Sequence, residues 1–220
     1  MFLHQHPYAP YVFPEATKLI VGTLPPPRFT QGDLKFDDVD FCYGSRNGML
    51  WPILNEVFDL NLVFENTAAA IDQRKHFLHQ RKIGVCDIVE SAEREKIDAS
   101  DLGMQNVKLR DLISLLNKFE NLDTLLFMGG NSKNGPEYFF RKQLRGYGIS
   151  LELVSDDLPR IHQFMLPSAS KRTIKTITFT APSGAANRAI GSLDSYKKAK
   201  QQNPKYTTFD FRVAQYGPFF

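Results

Sequence analysis

The segment Val21–Arg28, with the sequence VGTLPPPR, decides how the chain folds. It follows a short apolar run, Lys18–Val21, and it should end that strand, because proline lacks the N–H that a sheet requires and glycine favours turns. The chain then returns through Phe41–Pro52, FCYGSRNGMLWP, an aromatic loop bracketed by glycines, and a helix is predicted to begin near Pro52. An open α/β sheet forms a ligand pocket in this way, at the carboxyl ends of its strands.

Further apolar runs predict the remaining strands. They lie at Ile83–Cys86, Thr124–Met128 and Thr173–Thr180, with a shorter run at 150–154. Between them the patterns predict helices at Ala68–Lys82, Asn106–Asn121, from Pro136 onward and at Ala185–Lys200. Because strands that alternate with helices form right-handed crossovers, we expect an α/β protein with a central, mainly parallel sheet of about four strands.

Length and composition indicate one folded domain. The chain has 220 residues, of which 42% are hydrophobic and 23% charged, values that are ordinary for a globular protein. We therefore expect a single domain over 1–220, with an N-terminal arm at 1–17 and a tail at 201–220. The net charge of +3 and the pI near 8.8 are compatible with a polyanionic partner but indicate no strongly basic surface.

Neither a metal nor a membrane is expected. Cys42 and Cys86 lack metal-ligand spacing, and two cysteines cannot supply the four thiolates of an iron–sulfur cluster. His4 and His6, in an arm rich in proline and aromatic residues, are interpreted as surface residues rather than a metal pair. The chain has no run of 18 apolar residues and no signal-peptide pattern at its start, so we expect a monomeric cytoplasmic protein without cofactors.

Four segments together resemble a known family. They are Val21–Arg28, Tyr43–Pro52, Asp87–Arg94 (DIVESAER) and Pro182–Arg188 (PSGAANR). Their order and spacing resemble the uracil-DNA glycosylase superfamily, most closely its hypoxanthine-DNA (deoxyinosine) glycosylases. The resemblance implies a three-layer α/β/α sandwich and a repair enzyme that hydrolyses the N-glycosidic bond of a deaminated base in DNA. It also implies a monofunctional reaction, since no catalytic lysine lies in these segments.

The resemblance assigns a base-binding pocket to Gly22, Thr23, Leu24, Phe41, Tyr43 and Asp87. Phe41 or Tyr43 would stack on the flipped base, with Tyr43 the better match, although either ring could instead pack the loop onto the sheet. Asp87 would accept a hydrogen bond from a ring N–H, which hypoxanthine and uracil carry where adenine and cytosine do not. The alternative is that Asp87 caps a turn at residues 88–91.

Asn47 is the catalytic candidate, since it matches the asparagine on which the deoxyinosine branch relies. An amide takes up no proton at neutral pH, so it would align a water molecule or donate a hydrogen bond to the leaving base. Other branches carry an acid or amide inside the first segment, and Gly22–Pro27 has none. The alternative is that Asn47 is an ordinary turn residue before Gly48.

The last segment is the expected DNA contact. The resemblance implies that it enters the minor groove, and the DNA-binding candidates are Ser183, Gly184, Ala185, Asn187 and Arg188, with Lys133 as a phosphate contact. Many family members have a histidine at the head of this segment, where this chain has Thr180–Pro182. A second hypothesis is therefore a catalytically weak or inactive module that binds nucleic acid or nucleobases on the same fold.

Overall fold

The computed structural model describes residues 1–167 and 171–220. The strands are β1 (Phe2–Gln5), β2 (Lys18–Val21), β3 (Ile83–Val85), β4 (Val89–Arg94), β5 (Gln105–Leu109), β6 (Thr124–Phe127), β7 (Glu152–Ser155), β8 (Arg160–Met165) and β9 (Thr173–Thr178). The helices are α1 (Pro27–Gln31), α2 (Leu50–Phe58), α3 (Ala68–Gln80), α4 (Leu112–Lys118), α5 (Pro136–Gly146), α6 (Asn187–Ser192), α7 (Asp194–Gln202) and α8 (Thr208–Tyr216).

The central sheet has six strands in the order β3-β2-β6-β9-β8-β7. The first four are parallel, and they correspond to the strands predicted from the apolar runs at 18–21, 83–86, 124–128 and 173–180. The expected count of about four is too low, because β8 pairs antiparallel with β9 and β7 pairs antiparallel with β8. The short run at 150–154 anticipated β7, whereas β8 mixes polar and apolar residues and gave no clear signal.

Helices cover both faces of this sheet. Leu19 and Val21 of β2 point to one face, where they join a core that includes residues of α4 and α5. Ile20 points to the opposite face and packs with residues of α2, α3 and α8. Because successive strand residues point to opposite faces, the buried residues of β2 contribute to both cores. The sheet with helices on both faces is the expected three-layer arrangement.

A second, antiparallel sheet has the order β1-β4-β5. Its strand β1 lies in the N-terminal arm, pairing Phe2 with Arg94 and Gln5 with Ser91. The interpretation of His4 and His6 as surface residues is wrong, since both are buried. Alternation along β1 turns His4 inward, and no sequence signal distinguished this strand from an irregular arm.

The helix predicted over Asn106–Asn121 is also wrong in its first part. Residues up to Leu109 form β5, and α4 begins only at Leu112. Asp111 caps α4, accepting the backbone N–H groups of Ile113 and Ser114 at 3.0 Å. The apolar stripe that suggested one helix therefore combines a strand with period two and a short capped helix.

The predicted helix at Ala185–Lys200 is interrupted. A 3-10 turn over Gly184–Ala186 leads into α6, and the chain is extended at Leu193 before α7. The tail is part of the core, because α8 packs on α2 and the buried Tyr216 stacks on Phe220 with ring centroids 5.6 Å apart. In the described ranges, no helix combines the length and hydropathy needed to cross a membrane.

Candidate active site

A cavity of about 320 Å³ opens beside the carboxyl ends of β2 and β6. Its volume falls in the usual range for small-molecule sites. The lining comes from all four segments that carry the resemblance and from two further places: Gly22–Pro26, Tyr43–Ser45, Asn47, Gly48, Asp87, Ala99, Asp101, Met128 and Ala181–Gly184. Segments far apart in sequence therefore meet at the sheet edge where ligands bind in this architecture.

Asp87 joins three of these segments through its carboxylate. One oxygen, Oδ1, accepts the backbone N–H of Gly22 at 2.7 Å and the hydroxyl of Tyr43 at 2.6 Å. The other, Oδ2, lies 3.0 Å from Nε2 of His6. Residues 89–91 belong to β4 rather than to a turn, and the carboxylate makes no hydrogen bond with residues 88–91, so the capping interpretation is wrong.

His6 brings the N-terminal arm into the site. Its Nδ1 accepts the backbone N–H of Tyr8 at 3.1 Å, so that nitrogen carries a lone pair. The proton of a neutral ring then lies on Nε2 and is donated to Asp87. Three donors consequently converge on the Asp87 carboxylate, which is only 6% exposed. The sequence offered no sign of this contact, because it joins residues 81 positions apart.

Tyr43 has an unusual backbone conformation, with φ of +60°. Such strain in a residue with a bulky side chain is commonly found at functional sites. Burial, together with the neighbouring Asp87, raises the pKa of the Tyr43 phenol well above its ordinary value, so the hydroxyl remains a donor. A Cβ on Gly22 would collide with the Tyr43 hydroxyl and approach Asp87 Oδ1 to 2.8 Å, which explains the glycine in the first turn.

Phe41 does not line the cavity, so the prediction that it binds the base is corrected. Its side chain is buried in the core against Trp51 and Tyr11, with ring centroids 6.3 and 5.7 Å away. Of the two aromatic candidates, only Tyr43 lines the cavity.

The loop that carries Asn47 is held by an ion pair between the partly exposed Arg28 and the buried Asp38. Arg28 donates two hydrogen bonds of 2.7 Å to Asp38 and a third of 2.9 Å to Ser45 Oγ. Burial opposes ionisation of Asp38, but the hydrogen bonds from Arg28 and from the backbone N–H groups of Arg46 and Lys35 outweigh it and lower its pKa to about 2. A rigid loop therefore presents Asn47 at the cavity wall.

Asn47 itself is exposed and lines the cavity. Its backbone N–H donates to Ser45 Oγ at 3.3 Å, and its amide makes no hydrogen bond with any residue in the described ranges. Thr23 and Leu24 lie on the same wall as Gly22, as expected. The amide of Asn47 is thus free to bind a ligand or a water molecule.

Asp101 is a cavity residue that the sequence did not reveal. It begins a 3-10 turn between β4 and β5 and accepts the hydroxyl of Thr23 at 2.7 Å. Burial raises the pKa of Asp101 to about 6. Its segment is anchored by Asn134, whose amide donates to the backbone carbonyls of Asp101 and Met104 at 2.9 and 3.0 Å.

The loop 181–184 is held in place by α8. Arg212 is buried and donates to the carbonyls of Ala181 and Ser183 at 3.0 and 2.7 Å. Gln215 accepts the N–H of Thr180 at 3.0 Å, and Tyr216 donates to the carbonyl of the same residue at 2.8 Å. The C-terminal tail, for which the sequence suggested no purpose, therefore positions one wall of the cavity.

The DNA-binding candidates are distributed unevenly. Ser183 and Gly184 line the cavity, while Ala185, Arg188 and Lys133 lie outside it and are exposed. The side-chain oxygen of Asn187 is occupied by Arg212 and Thr208, at 3.0 and 3.2 Å. Asn187 thus helps to hold the loop, and its amide nitrogen, which makes no hydrogen bond with the described residues, remains a candidate DNA contact.

Comparison with known proteins finds a similarity among solved structures. No protein-family model matches the chain, and no curated protein does. Among solved structures, the solution NMR structure of a protein described as a "putative Uracil DNA glycosylase" from Methanosarcina acetivorans superposes with a TM-score of 0.52 at 16% sequence identity. The match covers 96% of this chain and 98% of that one. The two proteins share a fold. This agrees with the α/β architecture that the sequence predicted.

Proposed function

We propose that this protein is a monofunctional DNA glycosylase that hydrolyses the N-glycosidic bond of a deaminated base, hypoxanthine or uracil. The observation that carries the proposal is the convergence of four separated segments on one cavity. Each of these segments matches a segment of the superfamily in order, and the fold is shared with a protein described as a glycosylase of that kind.

A flipped base would enter the cavity beside Tyr43 and the turn at Gly22–Leu24. Stacking on an aromatic ring typically contributes about 1–3 kcal/mol per base and tolerates any base. Discrimination then depends on the polar atoms of the walls. Asp87 has one lone pair left on Oδ2, which could accept a ring N–H, while its other acceptor positions are taken by the protein.

Asn47 would act at the sugar side of the base. Its amide has no partner within the described residues, and the Arg28–Asp38 pair holds its loop. A preorganised amide can align the attacking water or donate to the departing base without reorganising during the reaction. Removal of one such group typically costs about 10²–10³ in rate.

DNA would lie across the mouth of the cavity. Ser183 and Gly184 form part of the wall there, and Arg188 and Lys133 are exposed cations. Arg188 would contact phosphate or fill the gap left by the flipped nucleotide. The two roles differ in their dependence on salt and on base pairing, which makes them separable by experiment.

One observation favours the second hypothesis, a nucleobase-binding module without activity. The loop Thr180–Pro182 has no imidazole, and the single histidine that contacts Asp87 is directed at the carboxylate rather than at the cavity. A protein of this kind would bind the base and leave the glycosidic bond intact.

The deciding experiment incubates the purified protein with single- and double-stranded oligonucleotides that carry uracil, hypoxanthine or xanthine. Alkali then cleaves any abasic site, and an undamaged oligonucleotide is the control. We expect base release from the hypoxanthine or the uracil substrate and an intact strand before alkali. Strand breaks without alkali would contradict a monofunctional reaction, and binding without release would support the inactive module.

A further inference from the structure

Two carboxylates line the cavity, and their surroundings differ. Asp87 receives three donors on its two oxygens. Asp101 receives one, the Thr23 hydroxyl on Oδ1, and its Oδ2 has no hydrogen-bond partner among the residues that the structure describes. Only Asp101 therefore keeps a whole carboxylate oxygen available to a molecule in the cavity.

We propose that Asp101 is the general base that activates the water in this reaction, and so replaces the acid that the first segment lacks. This inference rests on the proposed glycosylase function. The C1′–N bond breaks and its electron pair leaves with the base. The water oxygen bonds to C1′, the water proton passes to Asp101, and Asp101 then returns the proton to solvent while the departing base anion takes one up.

The position of Asp101 suits this role. Thr23 is the next residue after Gly22, whose N–H binds Asp87, so the two carboxylates flank one short turn of backbone. Two hydrogen bonds hold the segment that carries Asp101. Arg94 donates to the Ser100 carbonyl at 2.6 Å, and Asn134 donates to the Asp101 carbonyl. The side chain of Asp101 is thus directed by fixed neighbours rather than by a free loop.

The electrostatic surroundings keep Asp101 basic enough to accept a proton. Burial is the main cause that raises its pKa to about 6, and the charge of Asp87 adds to the rise. The Thr23 hydrogen bond and Arg94 act in the opposite direction, and Arg94 shares its charge with Asp98 at 3.7 Å. His4, bound to Arg94, adds no charge, because burial lowers its pKa to about 4. A carboxylate of this kind is ionised at neutral pH and still a better base than an exposed one.

The test compares the wild type with Asp101→Asn and with the control Asp72→Asn, which removes an exposed carboxylate of α3 outside the cavity. Single-turnover excision is measured from about pH 5 to about pH 8 on the best substrate. We expect the wild-type rate to rise up to about tenfold per pH unit and to level above about pH 6. Asp101→Asn should lower the plateau by about 10²–10⁴ and abolish the slope, and Asp72→Asn should change neither.

Two further measurements separate catalysis from structure. Asparagine keeps an oxygen for Thr23, so the variant should unfold at the same temperature as the wild type and bind abasic-site DNA equally well. The Asp101 carboxyl carbon, assigned by NMR against Asp101→Asn, should titrate near pH 6. An unchanged rate and slope in Asp101→Asn would overturn the role of Asp101 and leave the glycosylase function intact. The same conclusion would follow if the variant lost DNA affinity but excised the base from bound DNA at the wild-type rate. A wild type inactive on every substrate would overturn both.

Discussion

His6 Nε2 lies 3.0 Å from Asp87 Oδ2, and the other nitrogen of the same ring accepts the N–H of Tyr8. This pair ties the N-terminal arm to the end of β3, beneath the cavity. Because the ring donates one hydrogen bond and accepts the other, it can hold Asp87 without adding a positive charge. The arm is thus part of the site rather than a covering segment.

The first prediction concerns this pair. His6→Ala removes one of three donors from a buried carboxylate, so the free energy of unfolding should fall by about 1–3 kcal/mol. Excision should fall as well, because Asp87 positions both Tyr43 and the Gly22 turn. Urea unfolding and single-turnover assays measure the two effects. His76→Ala, at an exposed position of α3, is the control and should change neither.

If His6→Ala matched the wild type in both assays, the histidine would contribute to neither stability nor excision. The other two donors would then be sufficient to hold the Asp87 carboxylate in place.

The second prediction is that Asn47→Ala lowers the excision rate by about 10²-fold or more, the usual loss for one preorganised polar group. Thermal stability should stay within about 1 kcal/mol, since the amide is exposed and makes no hydrogen bond with the described residues. Asn66→Ala, at another exposed asparagine, is the matched control. A stable protein with full activity would exclude Asn47 from catalysis, and a large loss of stability would make it a structural turn residue.

The third prediction concerns Arg188, which is exposed just beyond the loop 181–184. If Arg188 contacts phosphate, Arg188→Ala should reduce the slope of log K against log salt by about 1 and weaken binding to all sequences. If it fills the gap left by the base, excision from duplex should suffer much more than excision from single strands, which have no pairing to break.

The control for Arg188 is Arg145→Ala, which removes an exposed cation at the far end of α5 from the cavity. Each variant is assayed on both substrates at two salt concentrations. Identical behaviour of Arg188→Ala and Arg145→Ala in all four conditions would remove Arg188 from the DNA interface.

The fourth prediction tests whether α8 positions the loop. Arg212→Met leaves the partly buried carbonyls of Ala181 and Ser183 without this donor, and an unsatisfied buried acceptor costs about 1–3 kcal/mol. Stability should fall, and the affinity for abasic-site DNA should fall with it, because the loop forms one wall of the cavity. Arg212→Lys keeps a donor and should recover part of both losses.

A less stable Arg212→Met protein with unchanged DNA affinity would separate α8 from the site and restrict it to a role in the core.

The sequence by itself determined the central layer of the fold. Strands β2, β3, β6 and β9 are short apolar runs ended by glycine, proline or a polar residue, so local composition was sufficient to find them. Gly22 and Asp87 follow β2 and β3, and Tyr43 and Asn47 lie in the loop before α2. These candidates, together with Ser183 and Gly184, line the cavity.

Tertiary structure alone decided the contacts that join distant segments. His6 reaches Asp87 across 81 residues, and Arg212 reaches Ser183 across 29. Such pairings depend on how sheets and helices pack. The local sequence around a histidine or an arginine does not identify the residue that its side chain will contact. The burial that raises the pKa of Asp101 is likewise produced by packing around it. Tertiary packing also decided the strand within Asn106–Asn121 and the burial of Phe41. Local sequence alone does not determine whether an apolar residue packs in a helix, in a strand or in the wall of a pocket.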